Sequence, residues 1–297
     1  MRKQLARYWQ VYVLILPAAI YILIFSYGPM YGVIIAFKDL KTSLGILGSP
    51  WVGLKHFERF VNYPNFWRLI RNTLTLSIYS LLTFPVPIIF ALALNEMRNK
   101  HYRRFVQMMT YAPNFISVVI MCGMILLFFN RSIGVVNNII AWLGFERIDF
   151  MSDPSSFPHI YVWSGVWQSF GWGSIIYLSA LSGVSPEQVE AARIDGASRI
   201  KVIWHVNIPA ILPTITLLLI LSTGGILSSN LYKILLLQNP LNKEVSSVIA
   251  TYNYEVGLVS QQYSYSAAIG LFNTVVGVVI LLIVNAAAKK ATEIGIW

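Results

Sequence analysis

Apolar residues along this chain gather into long runs separated by short polar stretches. The runs fall at 11–37, 72–95, 106–129, 160–181, 207–230 and 267–288. Each is longer than the roughly 20 residues that a helix needs to cross the hydrocarbon core of a bilayer, so the pattern predicts six membrane-spanning helices. Prolines interrupt several of them: Pro17 and Pro29, Pro85 and Pro87, Pro113, Pro209 and Pro213. In lipid the carbonyls freed by a proline must be met by neighbouring helices or by water in a cavity. That suits a bundle around a pathway, and a static bundle tolerates the same kinks.

The first run is longer than the roughly 7–15 apolar residues of a secretory signal, and no small-x-small cleavage site follows it. It reads as a retained span. The organisation expected is therefore a first transmembrane helix and outer aromatic loop over 1–70, a transmembrane core over 71–288, and a tail over 289–297.

Composition agrees with a membrane protein: 56% of the 297 residues are apolar and 11% charged, where a soluble domain carries about a quarter charged. The net charge of +10 does not indicate nucleic acid, because the basic residues sit beside apolar runs and not along one polar face. Arg2, Lys3 and Arg7 precede the first run, Arg98, Lys100, Arg103 and Arg104 follow the second, and Lys289 and Lys290 follow the last. Clusters of this kind mark cytoplasmic ends and meet anionic lipid headgroups. Both termini are expected in the cytoplasm, although Lys38, Lys41, Lys55, Arg59 and Arg68 in the first outer segment weaken the asymmetry. That segment also holds Gly45, Gly48, Pro50 and Gly53, then Phe57, Phe60, Phe66 and Trp67, a turn followed by an aromatic helix expected at the membrane interface. Its alternative use is contact with an external protein.

The single cysteine, Cys122, excludes an internal disulfide or a cysteine metal cluster. The four histidines are far apart, and no H-E-x-x-H, C-x-x-C or G-x-S-x-G is present, so a membrane enzyme has no visible apparatus. A secondary transporter or channel for a small polar solute is the stronger rival, but such proteins commonly carry ionisable groups within their spans. Here the middles of the runs are almost free of them.

The most informative segment lies between the fourth and fifth runs, about 183–206. Ser185 can cap a helix with Pro186 at its first position and Gln188 at its third. That helix runs to about Ile194, Asp195-Gly196 supplies a turn with glycine in the left-handed position, and Ser198 can cap a second helix. Small residues at Ala191, Ala192, Gly196 and Ala197 allow a partner close approach, while Glu190, Asp195 and Arg199 offer directional polar contacts. From these residues alone, a docking element and an ordinary interfacial hairpin fit equally.

Glu190-Ala191-Ala192, Asp195-Gly196-Ala197 and then Ile208-Pro209 resemble the EAA loop of permeases in binding-protein-dependent ABC importers. Further segments are similar to carbohydrate permeases of the polysaccharide and lipoprotein-associated type: Gly32 to Lys38, Gly48 to Leu54, Asn72-Thr73-Leu74, Ala91 to Glu96 and Ala268 to Asn273. The resemblance implies an all-α type I importer fold in a bacterial inner membrane, with the loop as a coupling helix seated on a cytoplasmic ATPase. The chain has no G-x-x-x-x-G-K-[S/T] phosphate loop, so it is expected to bind no cofactor, ATP and Mg being held by two partner ATPase subunits. The other partners implied are a second, related permease completing a heterodimer, an extracytoplasmic sugar-binding protein, and an oligosaccharide. The resemblance leans towards fragments of plant or algal polysaccharides, acidic ones among them.

Sugars are recognised by aromatic faces and by amide or hydroxyl groups. Trp163, Trp167, Gln168 and Trp172 lie at helical spacing before the loop, and Ser222, Ser229 and Asn230 after it. Because helices flanking the loop contact sugar in maltose-type relatives, Trp167, Gln168, Trp172, Ser222, Ser229 and Asn230 are the expected substrate-path residues. The segment 231–266 is expected as an outer gate, a docking surface, or a solvated aromatic loop.

Overall fold

The computed structural model describes residues 8–296, and the basic cluster Arg2, Lys3 and Arg7 lies outside the described residues. The fold is all-helical. In chain order the main helices are α1 (Trp9–Phe37), α2 (Lys55–Val61), α3 (Phe66–Asn95), α4 (Lys100–Phe115), α5 (Val118–Phe128) and α6 (Val135–Trp142). They are followed by α7 (Ser156–Ser182), α8 (Pro186–Ile194), α9 (Arg199–Gly224), α10 (Leu231–Leu237) and α11 (Tyr263–Thr292).

Among the described residues four helices, α1, α3, α9 and α11, are long and apolar enough to cross a membrane, and the bent pair of α4 and α5 makes up to five. α7, at 27 residues, has the length. Its serines, glycines, tryptophans and Gln168 keep it less apolar than those four.

The third run differs most from expectation. In place of one helix over 106–129, α4 and α5 meet at 100°. Pro113 sits in a 3₁₀ turn over Ala112–Phe115, Ile116 is extended, and Ser117 restarts the helix by accepting the Ile120 N–H at 3.3 Å. Proline has no N–H to donate and its ring crowds the carbonyl four residues back; Ala112 before it keeps helical backbone, and the chain leaves the helix at Ile116. Elsewhere prolines are absorbed: Pro17 and Pro213 lie inside continuous helix. Pro29 and Pro209 each follow a π-helical turn, Leu23–Tyr27 and Ile203–Asn207. The wider turn gives room where a proline ring would otherwise press on the carbonyl four residues back.

Residue contacts divide the chain into two units. The first comprises residues up to Phe66 together with Asn253–Phe272. In it α1 exposes apolar side chains all round, which is the pattern of a helix solvated by hydrocarbon. Phe60 and Phe66 are buried, and with Phe272 they form an edge-to-face cluster, centroids 5.0–6.1 Å apart. Such pairs bury large rings in favourable quadrupole geometry. Segment 253–272 is tied in here through Ser264 Oγ, which accepts the Leu40 N–H at 2.9 Å, and through Tyr265, whose ring lies 4.1 Å from the Arg59 guanidinium.

The second unit comprises Trp67–Tyr252 and the residues from Asn273 onward, built around α7. One part of α7 contributes Phe157, Ile160, Tyr161 and Val162 to a core with Leu76, Met121, Cys122, Ile125, Ile234 and Leu237. Further along, Tyr177 and Leu181 pack with Ile88, Ala91, Leu92 and Ile211. Backbone left unpaired between helices is met by side chains, as interiors without water require. Asn72 Nδ2 donates to the carbonyls of Glu244 and Ser247 at 2.7 and 2.9 Å, and Thr73 Oγ1 accepts the Ile249 N–H at 3.0 Å.

Candidate functional site

The loop between α7 and α9 is closed by local hydrogen bonds. Ser185 Oγ accepts the Glu187 N–H at 3.2 Å, with Pro186 in the first turn of α8. At the far end Ala197 N donates to Ala192 O at 2.9 Å and Gly196 N to Arg193 O at 3.0 Å. This six-to-one and five-to-two pairing is a Schellman motif, which requires left-handed backbone at its penultimate residue. Gly196 supplies it with φ of +79°. Ser198 Oγ then accepts the Lys201 N–H at 3.4 Å and starts α9.

Glu190, Ala191, Asp195, Gly196 and Arg199 are exposed, with Ala192 and Ala197 half-buried. Between them stands Ile194, 86% exposed at the end of α8, an apolar side chain the sequence reading passed over. An isolated exposed isoleucine is ordinary; at the apex of a polar loop, near exposed Ile200 and Trp204, it belongs to a patch that suits a partner. A cleft of about 600 Å³ lies behind the loop, lined by Glu96, Arg98, Val189, Arg193, Ala197 and Arg199 among others.

Two cavities flank α7. The first, about 440 Å³, is walled by hydroxyls: Ser77, Ser80 and Thr83 from α3, Tyr161 and Ser169 from α7, and Ser222, Ser228 and Ser229 from α9 and the turn beyond it. Trp172 supplies an aromatic face, steadied edge-on by Phe115 at 5.5 Å. Ser169, Ser222 and Thr83 spend their protons on helix carbonyls at 2.7–2.8 Å, which leaves their oxygens free as acceptors. Ser229 Oγ is buried with no partner. A hydroxyl in that condition bears a desolvation cost that a ligand would relieve.

The second cavity, about 690 Å³, is apolar, lined by Met121, Met124, Phe128, Phe129, Phe150, His159, Trp163 and Trp167. Trp163 Nε1 donates to Tyr79 Oη, and Tyr79 Oη meets His159 Nδ1, both at 2.8 Å. Indole can only donate, so Tyr79 Oη accepts from Trp163, and its second bond joins it to His159 Nδ1.

The six path residues expected from sequence thus separate. Trp172, Ser222 and Ser229 share the hydroxyl cavity, while Trp167 lines the apolar one. Gln168 Nε2 donates to Ile116 O at 2.8 Å, and Asn230 Oδ1 caps α10 by accepting the Lys233 N–H at 3.1 Å; neither lines either cavity. Tyr161 and Ser169, which line the hydroxyl cavity, were not among the expected residues. Their signal was helical spacing: Tyr161, Gly165, Ser169 and Trp172 step by four, four and three along one face, whereas Trp163 and Trp167 mark another.

Similarity to known proteins agrees with this architecture. Residues 83–293 match the family described as binding-protein-dependent transport system inner membrane component. The polygalacturonan/rhamnogalacturonan transport system permease protein YteP of Bacillus subtilis (strain 168) is 43% identical over 288 residues, 97% of this chain and 90% of that one. Protein LplB of the same organism is 43% identical over 97% of this chain and 91% of its own. In structure, the chain superposes with a TM-score of 0.89 and 41% identity on a chain of a bacterial ABC transporter involved in the import of the acidic polysaccharide alginate, covering 98% of both. A bacterial alginate ABC transporter in complex with an alginate pentasaccharide-bound periplasmic protein gives a TM-score of 0.90 at 40% identity, covering 99% of both chains. The chain belongs to the binding-protein-dependent transport system inner membrane components, the non-catalytic permease subunits of ABC transporters.

Proposed function

We propose that this chain is one half of the translocation path of an ATP-driven oligosaccharide importer, with the hydroxyl-walled cavity beside α7 as its share of the path. The observation that carries this reading is the cavity wall itself. Hydroxyl oxygens free to accept, the unpartnered Ser229 Oγ and the Trp172 face together match the needs of a sugar. The polygalacturonan and alginate transport relatives support an oligosaccharide cargo drawn from acidic polysaccharides.

In this reading α4 with α5 forms one crossing and α7 another, giving six, with both termini cytoplasmic and residues 71–288 as the permease core. The loop at Glu190–Ala197, with Arg199, seats on a cytoplasmic ATPase, Ile194 filling an apolar hollow and Glu190, Asp195 and Arg199 fixing its orientation. Two ATPase subunits hold the ATP and Mg. Their closure moves α8, and the rigid cap bonds at both of its ends pass that movement to α7 and α9. A second, homologous permease completes a heterodimeric pore, and an extracytoplasmic binding protein delivers the sugar.

The test is reconstitution in proteoliposomes with the partner permease, the ATPase and the binding protein. Uptake of labelled oligogalacturonides is expected to require ATP inside the ATPase-accessible compartment and the binding protein on the opposite side. Uptake driven by a proton gradient without the ATPase would overturn the proposal.

A further inference from the structure

Lys233, on α10, is buried at 4% exposure. Its ammonium donates to the Tyr161 carbonyl and stands 4.7 Å from the centre of the Tyr161 ring. Glycine at 165 leaves room for it, since a Cβ there would lie 3.2 Å from Nζ. No carboxylate among the described residues pairs with this cation; its nearest titratable neighbours are Cys122 and Tyr161. Buried charges are ordinarily paired, because removing an ion from water is costly. If Lys233 only fastened α10 to α7, a neutral donor would serve at lower cost.

Tyr161 connects this charge to the cavity. Its hydroxyl accepts the Asn230 N–H at 3.0 Å, its carbonyl and ring hold Lys233, and it lines the cavity wall. None of the lining residues is charged. The lining thus brings no formal charge of its own, and Lys233 stands behind one of its aromatic rings, in a medium that screens poorly.

We propose that Lys233 is a specificity-determining residue that makes this cavity prefer anionic sugars, those bearing uronate carboxylates, over neutral ones of the same size. The proposal rests on the reading of the cavity as a sugar path. The charge acts through the Tyr161 ring and does not touch the sugar.

The test is direct binding to the purified permease–ATPase complex in nanodiscs, without the binding protein, so that only the cavity selects. Tryptophan fluorescence is followed with trigalacturonate and with its fully methyl-esterified, neutral counterpart. Wild type should bind the acid more tightly. Lys233→Met should weaken acid binding by about tenfold, the order expected when one favourable charge interaction is lost in a poorly screening medium, and leave the ester unchanged. Lys233→Arg should keep the preference. An equal loss for both sugars in Lys233→Met, or an unchanged ratio, overturns the inference while the path reading stands. Absence of binding of either sugar to wild type removes the path reading and the inference with it.

Discussion

Gln168 Nε2 donates to the carbonyl of Ile116 at 2.8 Å, across 52 residues of sequence. Ile116 is the extended residue at the bend where α4 gives way to α5, so the amide meets a carbonyl left without a helical donor. Gln168→Leu should leave that carbonyl unpaired and cost about 1–3 kcal/mol, read as a lower melting midpoint in detergent. A variant with unchanged melting but weakened sugar binding would place Gln168 on the substrate path instead.

The same helices approach closely at Gly171. A Cβ there would lie 2.2 Å from the Thr110 carbonyl oxygen, a distance no packing adjustment of one side chain relieves, because the obstacle is backbone. Gly171→Ala should destabilise by about 1–3 kcal/mol or more as the helices are forced apart. Gly173→Ala is the control, since its Cβ would meet only the Pro87 ring, Cβ at 3.5 Å and Cγ at 3.9 Å, which is ordinary contact. Equal thermal stability of the two variants would contradict this packing.

These two contacts show what was legible in the sequence and what was not. The 183–206 loop could be read almost residue by residue, because Ser185, Gly196 and Ser198 act through hydrogen bonds that span no more than five residues. Pro113 looked no different from Pro17 or Pro213, yet only near Pro113 does the chain turn sharply. What permits the turn is an acceptor's partner on α7 and a restart at Ser117, both decided by tertiary structure. Trp167 and Trp172, taken together from sequence, line different cavities, because helical spacing puts them on different faces of α7 while the Tyr161 face carries the hydroxyl-walled one. The association of 253–272 with the segment around Leu40 and Arg59 rests on Ser264 and Tyr265 contacts more than 200 residues distant, beyond the reach of any local pattern.

Ser229 allows stability and transport to be separated. Its Oγ is buried and unpartnered, so Ser229→Ala breaks no hydrogen bond and removes a desolvated polar atom. Its melting midpoint should equal or slightly exceed that of wild type, while sugar binding weakens by about tenfold or less, the loss of one hydrogen bond of about 1 kcal/mol. A fall in stability would show that the hydroxyl has a structural partner.

Asp153 supplies a pH dependence at the start of α7, outside the spans. Hydrogen bonds from Ser155 Oγ at 2.6 Å, Ser156 Oγ at 2.7 Å and Ser155 N at 3.0 Å hold its carboxyl below the usual carboxylate range. The folded value is depressed, so the stabilisation is present above the unfolded pKa of about 3.9 and is lost as pH falls through the folded value. Hydrogen exchange at Ser155 and Ser156, corrected for the intrinsic rate, should lose protection on acidification. In Asp153→Asn it should depend less on pH. An Asp153→Asn profile with the same pH dependence as wild type would rule out the carboxylate as the clamp.

The proposed coupling role depends on two separable properties of α8, its shape and its tip. Gly196→Val places a β-branched side chain at φ of +79°, a conformation costing about 1–2 kcal/mol for an L-residue, and so opens the Schellman turn. Ile194→Asp leaves the turn intact and changes only an exposed tip, so global stability should move by no more than about 0.5 kcal/mol. If the loop seats on an ATPase, both variants should lose co-purification with it, Ile194→Asp without any drop in melting midpoint. In proteoliposomes the same variant should lose sugar-stimulated ATP hydrolysis while its cavity still binds sugar. Retained association and hydrolysis in Ile194→Asp would leave the loop as an interfacial hairpin and move the ATPase contact elsewhere.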